Sequence, residues 1–148
     1  MAKKDPLFTV LKLMEEAEEQ ASLQLRAAQL ELQRRQSQQK ALQDYRLDYM
    51  KQMEQQQGKQ ISASYYHQFH QFIRQIDDAI VQQVNAVQEA QTQQQHRQVH
   101  WQEKQQKRKA VEMLLAKKAE QTQLAEQREE QKLIDEFASQ QFYRKARR

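Results

Sequence analysis

The chain has 148 residues but only one glycine, one proline and no cysteine. That excludes the turn-rich sheet folds and the glycine loops that cradle phosphate, along with disulfides and thiol nucleophiles. The net charge is +4, but Arg144, Lys145, Arg147 and Arg148 carry that excess, and the rest is balanced at 20 basic and 20 acidic residues.

Glutamine occurs 33 times, hydrophobic residues make up 38% and the mean hydropathy is −1.14. Such a chain cannot fill a thick core. It can fill a seam between two helices, which needs only two apolar residues in seven.

Asp5-Pro6 starts the first helix: Asp caps free amides, and proline fits the first helical position. A 3-4 spacing follows through Leu7, Leu11, Met14, Ala21, Leu25, Ala28, Leu32, Leu42, Tyr49 and Met53. The same register is polar at Glu18, Arg35, Gln39 and Arg46, and Gln33 to Lys40 contains no apolar residue. The helix is expected over about 6–57, with a turn over 58–62. Gly58 suits the left-handed residue after a helix C-terminus, and Ser62 or Ser64 can cap the second helix.

The second helix is expected over about 63–143, followed by a basic tail, 144–148. Its register runs through Tyr66, Phe69, Ile73, Ile76, Ile80, Val87, Ala90, Trp101, Val111, Leu115 and Ala125. Polar interruptions fall at Gln83, Gln94, Arg97, Lys104, Arg108, Lys118 and Thr122. Near the end the register drifts to Leu133, Ile134 and Phe137. At 1.5 Å per residue the helices would measure roughly 75 and 120 Å. The expected fold is all-α, an antiparallel two-helix coiled-coil hairpin with unequal arms in a single unit, 1–148. Folding about Gly58 places Leu7 opposite the region of Val111. The second helix then overhangs the first from about Leu114 onward. That overhang must dock on something, fray or pair with another chain.

Candidate chemistry is sparse. A two-stranded coiled coil offers no pocket to shift a pKa or exclude water, so no enzyme is expected. His96 and His100 stand at i, i+4 with Glu103 a turn further on. They read as solvated polar residues, as do His67 and His70, and no metal or cofactor is expected. No apolar run approaches the roughly 20 residues of a membrane span, and Met1 to Phe8 lacks the apolar stretch of a signal peptide. The basic tail follows the heptads instead of preceding them, which argues against nucleic-acid binding.

The aromatics carry more information. Tyr45 and Tyr49 close the first helix; Tyr65, Tyr66, Phe69 and Phe72 open the second. Phe72, Ile76 and Ala79 form a second apolar stripe beside the seam. That stripe is expected to be exposed, which points to a partner.

Several segments, in this order, resemble the FliJ family, the coiled-coil component of bacterial flagellar type III export. They are Gln43-Asp44-Tyr45-Arg46-Leu47-Asp48-Tyr49, the turn at Gly58, Gln71-Phe72-Ile73 running into Asp78-Ala79-Ile80, Trp101 in its Gln/Lys/Arg stretch, and Asp135-Glu136-Phe137-Ala138. The resemblance implies an antiparallel coiled coil like the two-helix stalk of the rotary ATPase γ subunit. It implies a stalk-like coupling factor that inserts into the export ATPase hexamer (FliI-like) and promotes its assembly. It further implies contact with the cytoplasmic domain of the export gate (FlhA-like) and with substrate-specific export chaperones. The expected location is cytoplasmic, peripheral at the membrane face of the flagellar base. By the resemblance, the gate-binding patch is Gln38, Leu42, Tyr45, Tyr49, Phe72, Ile76, Ala79 and Gln83. The ring-facing end is the face around Leu11 with Asp135, Glu136, Phe137 and Ala138. The alternatives are a structural homo-oligomeric coiled coil and the equivalent stalk protein of a virulence secretion system.

Overall fold

The computed structural model describes residues 5–56 and 62–147. Gly58 and the turn assigned to it, apart from Ser62, lie outside the described residues. The fold is an all-α antiparallel hairpin of two packed helices, α1 (Pro6–Gln55) and α2 (Ala63–Ala146), with no strand among the described residues. Asp5 caps α1 by accepting a hydrogen bond from the Leu7 amide at 3.0 Å. Ser62 caps α2 by accepting one from the Tyr65 amide at 3.1 Å. α2 runs three residues past the expected Tyr143. Arg144 and Lys145 then lie in its last turn, where cations suit the negative end of the helix.

The contacts divide the chain into two compact units: Glu18–Glu103, and residues 1–17 with 104–148.

In the unit Glu18–Glu103, burial follows the 3-4 register closely. On α1 the buried or half-buried positions include Ala21, Leu25, Ala28, Leu32, Arg35, Gln39, Leu42, Arg46, Tyr49 and Met53. On α2 they include Phe69, Ile73, Ile76, Ile80, Gln83, Val87, Ala90, Gln94, Arg97 and Trp101. Tyr66 departs from the expected seam and is 56% exposed, at the level where α1 ends at Gln55. Its ring instead meets His70 edge-on at 4.3 Å.

Two side-chain pairs across the helices define the register. Arg46 donates to Asp77 at 2.6 Å, and Arg97 donates to Gln24 at 3.0 Å. This register sets Trp101 against Ala21, which is only 2% exposed, so a small residue leaves room for a large one. It also explains how Gln33 to Lys40 remains in the hairpin without an apolar residue. α2 supplies buried Val87 and Ala90 there, and α1 covers them with the half-buried stems of Glu31, Arg35, Gln38 and Gln39. Locally, Glu31 accepts two hydrogen bonds from Arg34, at 2.8 and 3.0 Å, and one from Arg35 at 2.9 Å. Arg34, then Arg35, pulls the Glu31 carboxyl down from 4.5 to about 2.

The densest packing is the cluster Phe69, Ile73 and Ile76, with Tyr49, Met50, Met53, Phe72 and Ile80 against it. Gln83 is the weak point: its carbonyl oxygen is buried with no hydrogen-bond partner among the described residues.

In the unit of residues 1–17 and 104–148, the seam is Leu7, Leu11 and Met14 with Lys104, Arg108, Val111 and Leu115, all half-buried. Lys118 donates to Asp5 at 3.0 Å. Beyond it every described residue of α2 is exposed, including the expected seam positions Thr122 and Ala125, because α1 has no residue to set against them.

Three stability outcomes follow. Ile76→Ala lowers unfolding free energy by about 2–4 kcal/mol. Gln83→Leu raises it by about 1 kcal/mol, because it removes an unsatisfied buried acceptor. Denaturant titration followed by circular dichroism measures both. The Glu31 carboxyl is depressed in the folded chain, so its contribution is complete above about pH 4.5 and lost as pH falls toward about 2. Melting curves should therefore show Glu31→Gln less stable than the parent at neutral pH, with the gap closing across that window.

Candidate interaction surface

The strongest chemical feature of the described residues is an aromatic group in the unit Glu18–Glu103. Tyr45 and Tyr49 stand one turn apart on α1, and Phe69 and Phe72 nearly one turn apart on α2. Tyr45 meets Phe72 edge-on at 6.1 Å, Tyr49 tilts onto Phe72 at 4.7 Å, and Tyr49 stacks on Phe69 at 5.1 Å. Phe69 and Tyr49 thus fill the seam, while Phe72 bridges from it to Tyr45 at its side. Such ring pairs favour edge and offset geometries, which hold the rings more tightly than area alone would.

The patch residues divide between the seam, which holds Leu42, Tyr49, Ile76 and Gln83, and one side of it, which holds Gln38, Tyr45, Phe72 and Ala79. Gln38, Leu42, Tyr45 and Tyr49 follow 3-4 spacing on α1, and Phe72, Ile76, Ala79 and Gln83 do so on α2. The register sets Leu42 against Ala79 and Gln38 against Gln83. The expected exposed stripe is narrower than the sequence suggested. Ile76 is 5% exposed and belongs to the core, and Phe72, Ala79, Leu42, Tyr49, Gln38 and Gln83 are half-buried. Tyr45, 51% exposed, is the fully presented member. The cause is stacking: Phe72 and Ile76 sit close enough to the seam for Tyr49 to cover them.

Sequence reasoning missed the polar rim. Arg46 reads as a seam interruption, yet it reaches Asp77 beside the aromatic group. The available signal was an Arg at a seam position whose antiparallel partner position has an Asp beside it. Met50 and Met53 also pack under the rings, and thioethers suit such surroundings.

The proposed ring-facing residues are not brought together. Leu11 is half-buried in the seam, whereas Asp135, Glu136, Phe137 and Ala138 are all exposed. The register places Leu11 near Val111, about 25 residues and roughly 37 Å along α2 from the Asp135 segment. Asp135 accepts a hydrogen bond from Gln131 at 3.0 Å, which stays within its own helix.

His96 and His100 are exposed, and among the described residues no three His, Asp or Glu side chains converge on a point that could hold a metal. No described helix is long and apolar enough to cross a membrane.

A family model described as "Flagellar FliJ protein" matches residues 3–147. No curated protein and no solved structure matches the chain.

The geometry separates two probes of the patch. Tyr45→Ala changes unfolding free energy by less than about 1 kcal/mol, because its ring is half in solvent. Phe72→Ala costs about 2 kcal/mol, because it also leaves a gap against the core. Chemical denaturation of the two variants measures the difference.

Proposed function

The chain belongs to the FliJ family of flagellar export components, and from that premise we propose that it is a coupling factor of the export apparatus. Its unit Glu18–Glu103 binds the cytoplasmic domain of the export gate, and its terminal unit engages the export ATPase ring and promotes hexamer assembly. By the same likeness it serves as a general export chaperone that contacts substrate-specific chaperones. It works by binding, at the cytoplasmic face of the membrane.

The observation that carries the gate assignment is the Tyr45–Phe72–Tyr49 group. The exposed Tyr45 ring meets Phe72 edge-on, Tyr49 in turn packs on Phe72, and an ion pair lies beside them. A preorganised aromatic anchor of this kind loses little side-chain freedom on binding, and such anchors dominate interface energetics. The ring assignment is supported by the exposed Phe137, flanked by Glu136 and Ala138 on the stretch of α2 that nothing covers among the described residues.

Two measurements test this reading. In calorimetric titration against the purified gate domain, Tyr45→Ala weakens binding about 10-fold or more, with helix content unchanged. Unchanged affinity removes Tyr45 from the interface. With purified export ATPase, the chain raises the hydrolysis rate, most strongly where the ATPase is too dilute to assemble alone. A rate that does not respond at any ATPase concentration refutes the ring assignment.

A further inference from the structure

The last part of α2 carries a seam of its own. Continued past Ala125, the register that pairs α2 with α1 runs through Glu129, Lys132 and Glu136, which are polar. The apolar residues lie one position on. Glu130, Ile134, Phe137, Gln141 and Arg144 repeat at 4-3-4-3 spacing with Leu133 beside them, on a face turned by about 100° from the first. This second stripe therefore does not continue the hairpin seam. Its apolar members are bare: Leu133 is 65% exposed, Ile134 59% and Phe137 63%.

We infer that this face pairs antiparallel with the same face of a second copy of the chain, about a two-fold axis at Phe137. The charge distribution selects this occupant. Between residues 126 and 136 α2 carries Glu126, Glu129, Glu130, Asp135 and Glu136, against Arg128 and Lys132. After Phe137 it carries Arg144 and Lys145 and no acid.

An antiparallel pair centred on Phe137 sets Glu130 of each copy against Arg144 of the other, and Glu129 against Lys145. Phe137 meets its own symmetry mate at the axis, and Leu133 and Ile134 flank it against Gln141 and Gln140. Such an interface is self-complementary, as two-fold symmetry requires. A parallel pair sets Glu130 on Glu130 and Arg144 on Arg144, which is repulsive. Glu130 and Arg144 close the stripe at its two ends, one heptad either side of Phe137, where opposite charges set orientation. Three apolar residues per helix form a small contact, below the roughly 1,200 Å² of a standard stable interface, so the pair is weak and concentration-dependent.

Sedimentation equilibrium of the full chain tests this. The mass rises from 17.8 kDa toward twice that value with concentration, and high salt shifts the midpoint upward. Glu130→Arg alone or Arg144→Glu alone raises the midpoint about 10-fold, and the two together restore it to within about threefold. Phe137→Asp abolishes the dimer. All three positions are exposed, and circular dichroism confirms that the helices persist.

Because the chain has no cysteine, introduced thiols report orientation. Phe137→Cys cross-links to itself on oxidation, and Glu130→Cys cross-links to a chain carrying Arg144→Cys and not to its own kind. A chain monomeric at all concentrations overturns the inference. So do a double charge swap that fails to restore the dimer and a Glu130→Cys chain that links equally well to itself. None of these residues lies in the Tyr45 patch, so gate binding and self-pairing succeed or fail separately.

Discussion

Everything in this molecule depends on one narrow contact, the seam between two antiparallel helices. With so little apolar surface, stability comes from a strip two residues wide and from the few places where that strip is dense. Phe69, Ile73 and Ile76 with the surrounding aromatics are the densest. Elsewhere the seam holds because one helix compensates for the other: Val87 and Ala90 face the polar stretch of α1, and Ala21 gives way to Trp101. Ion pairs at the edges are exposed and individually worth under about 1 kcal/mol. Their role is register: Arg46–Asp77 fixes which residues meet in the Glu18–Glu103 unit, and Lys118–Asp5 does so at the start of α1.

A seam this narrow leaves most of each helix surface free for binding. The two candidate surfaces use that freedom differently. Around Tyr45 a partner meets a ring fixed by the core, so the site is only as stable as the packing of Phe72 and Tyr49 beneath it. Along Leu133, Ile134 and Phe137 a partner meets a helix with no support from α1, and recognition rests on apolar spacing and charge order alone. The first surface is preorganised and suits a specific docking site. The second suits a weak, exchangeable contact, which a second copy can occupy until a stronger partner displaces it.

Much of the fold was legible because a coiled coil writes its core into its periodicity. The positions from Leu7 to Met53 and from Phe69 to Leu115 that repeat at 3-4 spacing are all buried or half-buried. Polar residues such as Arg35 and Gln94 belong to that set too, since geometry and not hydropathy puts them at the contact. The failures occurred at the ends. Tyr66 and Ala125 fit the register but stand at or beyond the ends of α1, and a pattern within one helix carries no information about where its partner stops. The same limit applied to the patch. Ile76 belongs to both stripes, and no periodicity says which one claims it.

The sequence by itself determined that the chain is two long helices, where each begins, and which face of each is turned inward. Helix propensity, capping and spacing act locally or along one helix, so one chain's residues suffice to read them. Only the tertiary structure decided how far burial spreads sideways from the seam. It placed Ile76 in the core, half-covered Phe72, and left Tyr45 presented. It also left the Gln83 carbonyl oxygen without a partner among the described residues and brought Arg46 to Asp77. These outcomes depend on the register between the helices and on ring stacking across them, and neither exists until the two helices meet.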